Sequence, residues 1–318
     1  FGREGGWEGL LAYTRPRDLP LAAAIPQAVA APHAPTLADT LDRTAKMYVG
    51  GKQARADGGY SSAVWSGEGK LLGHVGTGNR KDIRNAVETA GKAKGWGAQT
   101  GHNRAQVLYY VAENLAAREA EFAERLVSFG ASRTQAVAEV ATSIRRIFWY
   151  AAQADKFDGA VHQTKSAHVT LAVNEPLGVV GIACPSAYPL LGFVSLVLPA
   201  LAMGNRVVAI PSSLHPLAAT DLYQVLDTSD VPAGVVSIVT GERDSLAKTL
   251  AEHDAVDAMW YFGTRAGGRM VEDASAGNLK QTFVEDGAAR DWLSADGQGR
   301  TFLARATQVK NIWIPYGE

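Results

Sequence analysis

The chain holds a single cysteine, Cys184, in 318 residues. An intramolecular disulfide is therefore excluded, and a zinc site built on cysteine has too few ligands. Charge of one sign is also lacking: 31 Lys and Arg stand against 32 Asp and Glu, for a net charge of -1. A nucleic-acid surface or an anionic bilayer calls for a basic excess, so neither is expected as a partner. No uninterrupted apolar run reaches the roughly 18 residues that span a bilayer. No Asn-x-Ser/Thr sequon points to secretion, and a cytoplasmic location is expected. There is no Gly-x-Ser-x-Gly elbow, no phosphate loop of the Gly-x-x-x-x-Gly-Lys type and no His-Glu-x-x-His. The seven histidines are scattered, so no metal site is expected. His162 and His168 flank an expected hairpin and read as surface residues, and Asp254 and Asp257 read as solvated.

What is present is globular composition, with 47% hydrophobic and 20% charged residues. That length suits two ordinary domains or one large α/β domain. The chain begins at Phe1, which we read as a piece of a longer or processed polypeptide. Residues 1–15 are Gly-rich, then apolar. Residues 16–46 form a Pro/Ala-rich stretch containing Pro16, Pro20, Pro26, Pro32 and Pro35, and proline disfavours regular structure, so this is a linker. From Met47, short apolar runs between Gly turns predict small antiparallel strands. Asn79 opens a helix to about Lys94, with Ile83, Val87 and Ala90 on one face. Asn103, with Gln106 three residues on, predicts the cap of a second helix whose stripe runs through Leu108, Val111, Leu115, Phe122 and Leu126. Ser132 with Gln135 predicts a third.

Residues 160–173 read as a hairpin. Beyond it the period changes. The runs LGVVGIAC, RVVAI, VVSIV, DAMWYF and KQTFV are apolar throughout, and helical stretches at 188–203, 215–227, 243–253 and 264–277 separate them. Strands buried on both faces and alternating with helices imply parallel crossovers, hence a doubly wound α/β sheet over about 174–290. Such sheets bind ligands at the carboxyl ends of their strands. The turn FGTRAGG, residues 262–268, follows a strand and opens a helix, so its amides suit a pyrophosphate. Cys184 ends a strand and precedes Pro185. A nucleophile there is conceivable, but a small buried hydrophobe is the plainer reading.

Five segments now stand in a recognisable order: NEPLGVVGIACPSAYPL, LPALAMGNRVVAIPSSLHPLAA, VPAGVVSIVTG, YFGTRAGG and TFVEDG. Together they resemble the aldehyde dehydrogenase superfamily over about Met47 to Glu285. The resemblance implies a doubly wound NAD-binding domain, an oligomerisation hairpin and a catalytic domain. Its chemistry is a cysteine thiolate attacking an aldehyde, hydride passing to NAD, and a glutamate activating water for hydrolysis. An asparagine side chain holds the oxyanion.

Several of this chain's residues depart from that pattern. Ala187, within Pro185-Ser186-Ala187-Tyr188-Pro189, stands where the family carries the oxyanion asparagine, and a methyl group donates no hydrogen bond. Ile210 and Ser213 replace the lysine and glutamate that hold the adenosine ribose. Gly263, Thr264 and Gly268 match the cofactor turn as a vestigial site, and Glu285 matches the general base, though idle without a thiol. No cysteine follows Glu285, and the closing run VKNIWIPY, residues 309–316, resembles the strand that leads back to the oligomerisation region. The expectation is that most of the catalytic domain is missing between Glu285 and Val309. Residues 1–15 resemble the C-terminal tail of a preceding aldehyde dehydrogenase domain. The arrangement looks like the two-domain family 16 enzymes, with residues 47–318 as the truncated second domain. From the resemblance we expect a domain that is not itself an enzyme, binds no cofactor, and supports homodimerisation of a parent whose other domain uses NAD. The alternatives are a regulatory NAD(P)-binding module and, third, an autonomous oxidoreductase using Cys184 or Glu285.

Overall fold

The computed structural model describes residues 44–165, 167–285 and 287–315. Residues 1–15, the linker as far as position 43, and Tyr316 lie outside the described residues.

Regular structure starts with β1 (Thr44–Ala45), β2 (Met47–Val49), β3 (Lys52–Ala54), β4 (Ser61–Trp65) and β5 (Leu71–Gly76). It therefore begins slightly ahead of Met47, because Thr44 and Ala45 pair in parallel with His74 and Val75. Gly50 and Gly51, at φ 62° and 74°, form the tight turn between β2 and β3, which needs positive φ at both positions. Helices α1 (Arg80–Lys92), α2 (Gly95–Ala98), α3 (Gly101–Ala117), α4 (Glu119–Phe129) and α5 (Arg133–Gln153) follow. Asn79 and Asp82 form a reciprocal capping box at the start of α1, as do Ser132 and Gln135 at α5. Asn79→Ala is expected to cost about 1 kcal/mol in urea unfolding, because two first-turn amides, of Lys81 and Asp82, lose their acceptor.

One expectation is corrected here. The helix assigned to an Asn103 cap starts earlier, because the Thr100 side chain accepts from the Asn103 amide. It also ends earlier. Arg118 sits at φ -111° and ψ 16°, closing α3 and opening α4, so Phe122 and Leu126 belong to a separate helix.

The remaining elements are β6 (Ala160–His162), β7 (His168–Pro176), β8 (Val179–Ala183), α6 (Leu191–Ala202), β9 (Arg206–Ile210), α7 (Leu217–Asp221), α8 (Tyr223–Thr228), β10 (Val236–Ile238), α9 (Arg243–Glu252), β11 (Ala258–Tyr261), α10 (Arg265–Ser275), β12 (Gln281–Val284), α11 (Arg300–Arg305) and β13 (Thr307–Pro315). The central sheet has the order β12-β11-β8-β9-β10-β2-β3. Its first five strands are parallel, and β2 joins β10 in the antiparallel sense. The five apolar runs of the sequence are these five parallel strands. The chain steps from β8 outward to β9 and β10, then returns to β11 on the other flank of β8. The topological switch therefore falls between β8 and β11.

Two cores follow. On one face α6 is buried along its whole length, which explains its uniformly apolar sequence, and it packs with α3, α5 and α11. On the other face α1, α9 and α10 bury Ile83, Val87, Leu246, Leu250 and Val271 against Val179, Val208 and Met259. At the start of β8 the carboxylate of Asp257, read above as merely solvated, accepts the Val179 amide at 2.7 Å.

A separate sheet has the order β13-β7-β6. The expected hairpin is β6 and β7, and the closing strand begins at Thr307. It pairs with β7 of the same chain over nine residue pairs, from Thr307 opposite Pro176 to Pro315 opposite His168. Between Glu285 and β13 the described chain runs through a short irregular stretch and α11.

Candidate functional site

The switch point gathers the carboxyl ends of β8, β11 and β12 and the N-termini of α9 and α10. At the end of β8 the Cys184 amide donates to the Ile210 carbonyl at 2.9 Å. Its thiol is buried. Burial pushes that thiol well above its ordinary range, and the Arg243 guanidinium offsets the push only in part. A thiolate is disfavoured there, in line with the packing reading. The loop after it places Ala187 in solvent and turns at Tyr188, whose φ is 51°. Ser212, two residues past β9, donates to the Ser186 carbonyl at 3.0 Å, so the loops after β8 and β9 are tied together. Ile210 is fully buried among apolar side chains and Ser213 is exposed, so neither presents a charge to the crevice.

Gly263, Thr264 and Gly268 come together in the turn from β11 into α10. The Thr264 hydroxyl accepts the Gly267 amide at 3.0 Å, and its carbonyl accepts the Gly268 amide at 2.9 Å. Thr264 is thus the cap of α10. The ring of Tyr261 lies directly against this turn. A Cβ added at Gly267 would come within 1.9 Å of the Tyr261 hydroxyl oxygen, and one at Gly263 within 2.6 Å. The glycines therefore make room for Tyr261 itself. Its hydroxyl donates to Asp244 Oδ1 at 2.7 Å, and burial together with that bond raises its pKa. The Asp244 carboxylate also takes Arg243 Nε at 3.1 Å, and the guanidinium rests 5.3 Å from the centre of the Tyr261 ring.

Glu285 follows β12, and its amide donates to the Tyr261 carbonyl at 3.2 Å. Its side chain is buried and ion-paired with Arg290, while Oε2 has no hydrogen-bond partner. Arg290 in turn packs over Trp292 and Phe302, at 5.8 Å and 5.3 Å from their ring centres. The match at the general-base position is therefore held by a neighbouring cation. Sequence reasoning missed Arg243, Tyr261 and Arg290. One signal was available: an arginine as the first residue of a helix opposes the helix dipole and needs another reason to be there.

Among the described residues no group of three His, Cys, Asp or Glu side chains is placed to hold a metal ion. No helix among them is long and apolar enough to cross a membrane.

The model of the aldehyde dehydrogenase family matches residues 55–296. An aldehyde dehydrogenase of Agaricus bisporus is 33% identical over 69% of this chain and 45% of its own length. The NADP/NAD-dependent aldehyde dehydrogenase PuuC of Escherichia coli is 32% identical, over 68% of this chain and 45% of its own. The crystal structure of an NAD-dependent aldehyde dehydrogenase from Sinorhizobium meliloti superposes with a TM-score of 0.73 at 27% identity, covering 77% of this chain and 50% of that one. The chain thus spans about half the length of the relatives it matches. The expectation that the chain is not an enzyme, drawn from Ala187 and the absent thiol, is corrected by these matches: the relatives are enzymes, and departures at single positions do not outweigh a match over most of the chain. The chain belongs to the aldehyde dehydrogenase family.

Proposed function

We propose that this chain works within an NAD-dependent aldehyde dehydrogenase that converts aldehydes to carboxylic acids, and that it joins two copies of that enzyme through the sheet β13-β7-β6. One observation carries the assembly reading. Val161, Leu171 and Ile312 lie in register across the three strands, with Val169 opposite Ile314 beside them. Of these, Val161, Ile312 and Ile314 are exposed, and the row forms an apolar surface with open strand edges. A second copy is the occupant that such a self-complementary face suits. Ile312→Glu is expected to shift a dimer to monomer in sedimentation velocity, and an unchanged dimer would remove this reading.

Cys184 is the chain's only thiol and is buried. In this reading the attacking thiolate comes from a complete aldehyde dehydrogenase domain of the same polypeptide, as in the two-domain family 16 arrangement. The short passage from Glu285 to β13 then stands where the second domain's catalytic portion would otherwise lie.

A second reading, NAD(P) binding by this chain, is favoured by the capped N-terminus of α10 at the switch point. NAD, when bound, accepts the hydride. Thr264 and the α10 amides are the groups that would face its phosphates, while Ile210 offers the ribose no polar contact. Calorimetric titration with NAD tests this, and the absence of heat at millimolar cofactor would sink it.

A further inference from the structure

Arg146 lies on α5 and is 2% exposed. Its guanidinium bonds only to neutral groups. Nη1 donates to Ser195 Oγ at 2.6 Å, and Nη2 donates to the Ser294 carbonyl at 3.3 Å. Nε is buried and has no partner. Among the described residues no carboxylate is ion-paired with it. The acid whose charge reaches it is Asp291, which is exposed. A buried charge without a counter-charge is costly, and proteins pair such a group or give it an ion.

The surroundings share the imbalance. One helical turn along α5, Tyr150 is fully buried. Its oxygen lies near the Gly299 amide, but its proton has no acceptor. Arg146 and Arg290 both act on this hydroxyl, so the two guanidiniums flank it. Glu285 pairs with Arg290, yet Glu285 Oε2 and Arg290 Nε are also buried without partners. Two cations and one carboxylate leave a positive charge in the interior uncompensated. The segment from Arg290 to Gly297 closes over them. It is irregular apart from a single 3-10 turn, and it offers its Ser294 and Asp296 carbonyls to the two arginines.

We propose that Arg146 and Tyr150 hold a small monovalent anion, a halide or a short carboxylate, between α5, α6 and this segment. Arg146 Nε and the Tyr150 hydroxyl donate to it, and its charge balances the guanidiniums. The space sets the size: a Cβ added at Gly297 would come within 2.8 Å of Arg146 Nη1. The anion is taken up as the chain folds, so no folded side chain is displaced. The site needs neither the assembly nor the cofactor proposed above.

The test is urea unfolding of the 318-residue chain at fixed sodium concentration. Gluconate, too large for the site, is replaced stepwise by chloride and, separately, by formate. The proteins are wild type, Arg146→Met, Tyr150→Phe, and Arg133→Met as a control at the exposed start of α5. The midpoint of wild type and of the control is expected to rise with the logarithm of small-anion concentration once the dissociation constant is passed. Arg146→Met is expected to show an apparent affinity at least about tenfold weaker, and Tyr150→Phe one about threefold weaker. In gluconate alone Arg146→Met is expected to be at least as stable as wild type, because it removes an unpaired buried charge. At high chloride or formate wild type is expected to be the more stable. A purely structural arginine would make Arg146→Met weaker by the same amount in every salt, and that result overturns the proposal. A wild-type response to chloride and formate no larger than that of Tyr150→Phe overturns it too, and this comparison decides even where Arg146→Met does not fold. A response to chloride alone assigns a halide, to formate alone a carboxylate, and to both a site that selects size and charge; each of the three upholds the proposal.

Discussion

Gly267→Ala is expected to destabilise the chain by about 3 kcal/mol, although alanine is ordinarily the better helix former. The added methyl would stand 1.9 Å from the Tyr261 hydroxyl oxygen and 2.4 Å from the carbon bearing it. Tyr261 cannot easily retreat. It is fully buried, its hydroxyl is bonded to Asp244, and Arg243 covers its ring. The contrast is Gly91, near the end of α1, where nothing lies within 4 Å of an added Cβ. Gly91→Ala is expected to stabilise by about 0.5–1 kcal/mol through the unfolded chain. Urea unfolding of both variants checks the pair. A double-mutant cycle with Tyr261→Ala locates the cause, since the Gly267→Ala penalty should vanish once the ring is gone. An equal penalty in both backgrounds would place the strain elsewhere.

The second large effect is a pH dependence carried by Glu139. This residue lies on α5 and is 6% exposed. Its Oε1 accepts the Leu190 and Leu191 amides at 3.0 Å and 3.1 Å, capping the buried start of α6. Burial pushes its pKa from 4.5 up to about 7, and the two amide bonds pull it back only partly. The folded value lies above the unfolded one, so the folded chain binds the extra proton. The stability that this proton supplies is full below about pH 4.5 and is lost as pH rises through about 7. The swing is about 3 kcal/mol, from 1.36 kcal/mol for each pH unit between the two values. Glu139→Gln keeps an acceptor for both amides and carries no charge. It should match wild type near pH 4 and exceed it by up to about 3 kcal/mol near pH 8. His215 and His253, whose pKa values burial lowers, give the opposite slope in both proteins, so the difference between the two profiles isolates Glu139. Parallel profiles would remove Glu139 as the source.

The strands and the capping boxes were legible because their causes are local. Five apolar runs between turn residues need no partner to be read, and Asn79 with Asp82 lies within one helical turn. The break at Arg118 was not legible. Leu115, Phe122 and Leu126 continue a helical spacing across it, and only the packing of α4 as a separate helix interrupts it. The crevice was half legible. Gly263, Thr264 and Glu285 could be read as motif positions. Arg243 meets Tyr261, and Arg290 meets Glu285, only after folding brings separate strands side by side. The same holds for Glu139, whose partners at 190 and 191 lie 51 and 52 residues away. Ala187 lies in solvent and Ile210 is buried among apolar side chains, so neither presents a polar group to the crevice. What those losses mean for activity depends on the whole fold, and there the family match carries more weight than single side chains.

The pairing of β13 with β7 bears on how the chain is made. β7 is synthesised well before its long partner strand, and the chain between Pro176 and Thr307 must first emerge. At 5–20 residues per second that takes on the order of ten seconds. Throughout that interval one full edge of β7 is bare, with Leu171 and Val173 beside it. A nascent chain in this state has an open template for any extended peptide nearby, including β7 of the next ribosome on the same message. The same edge that β13 closes is thus the place where crowded synthesis would send the chain astray.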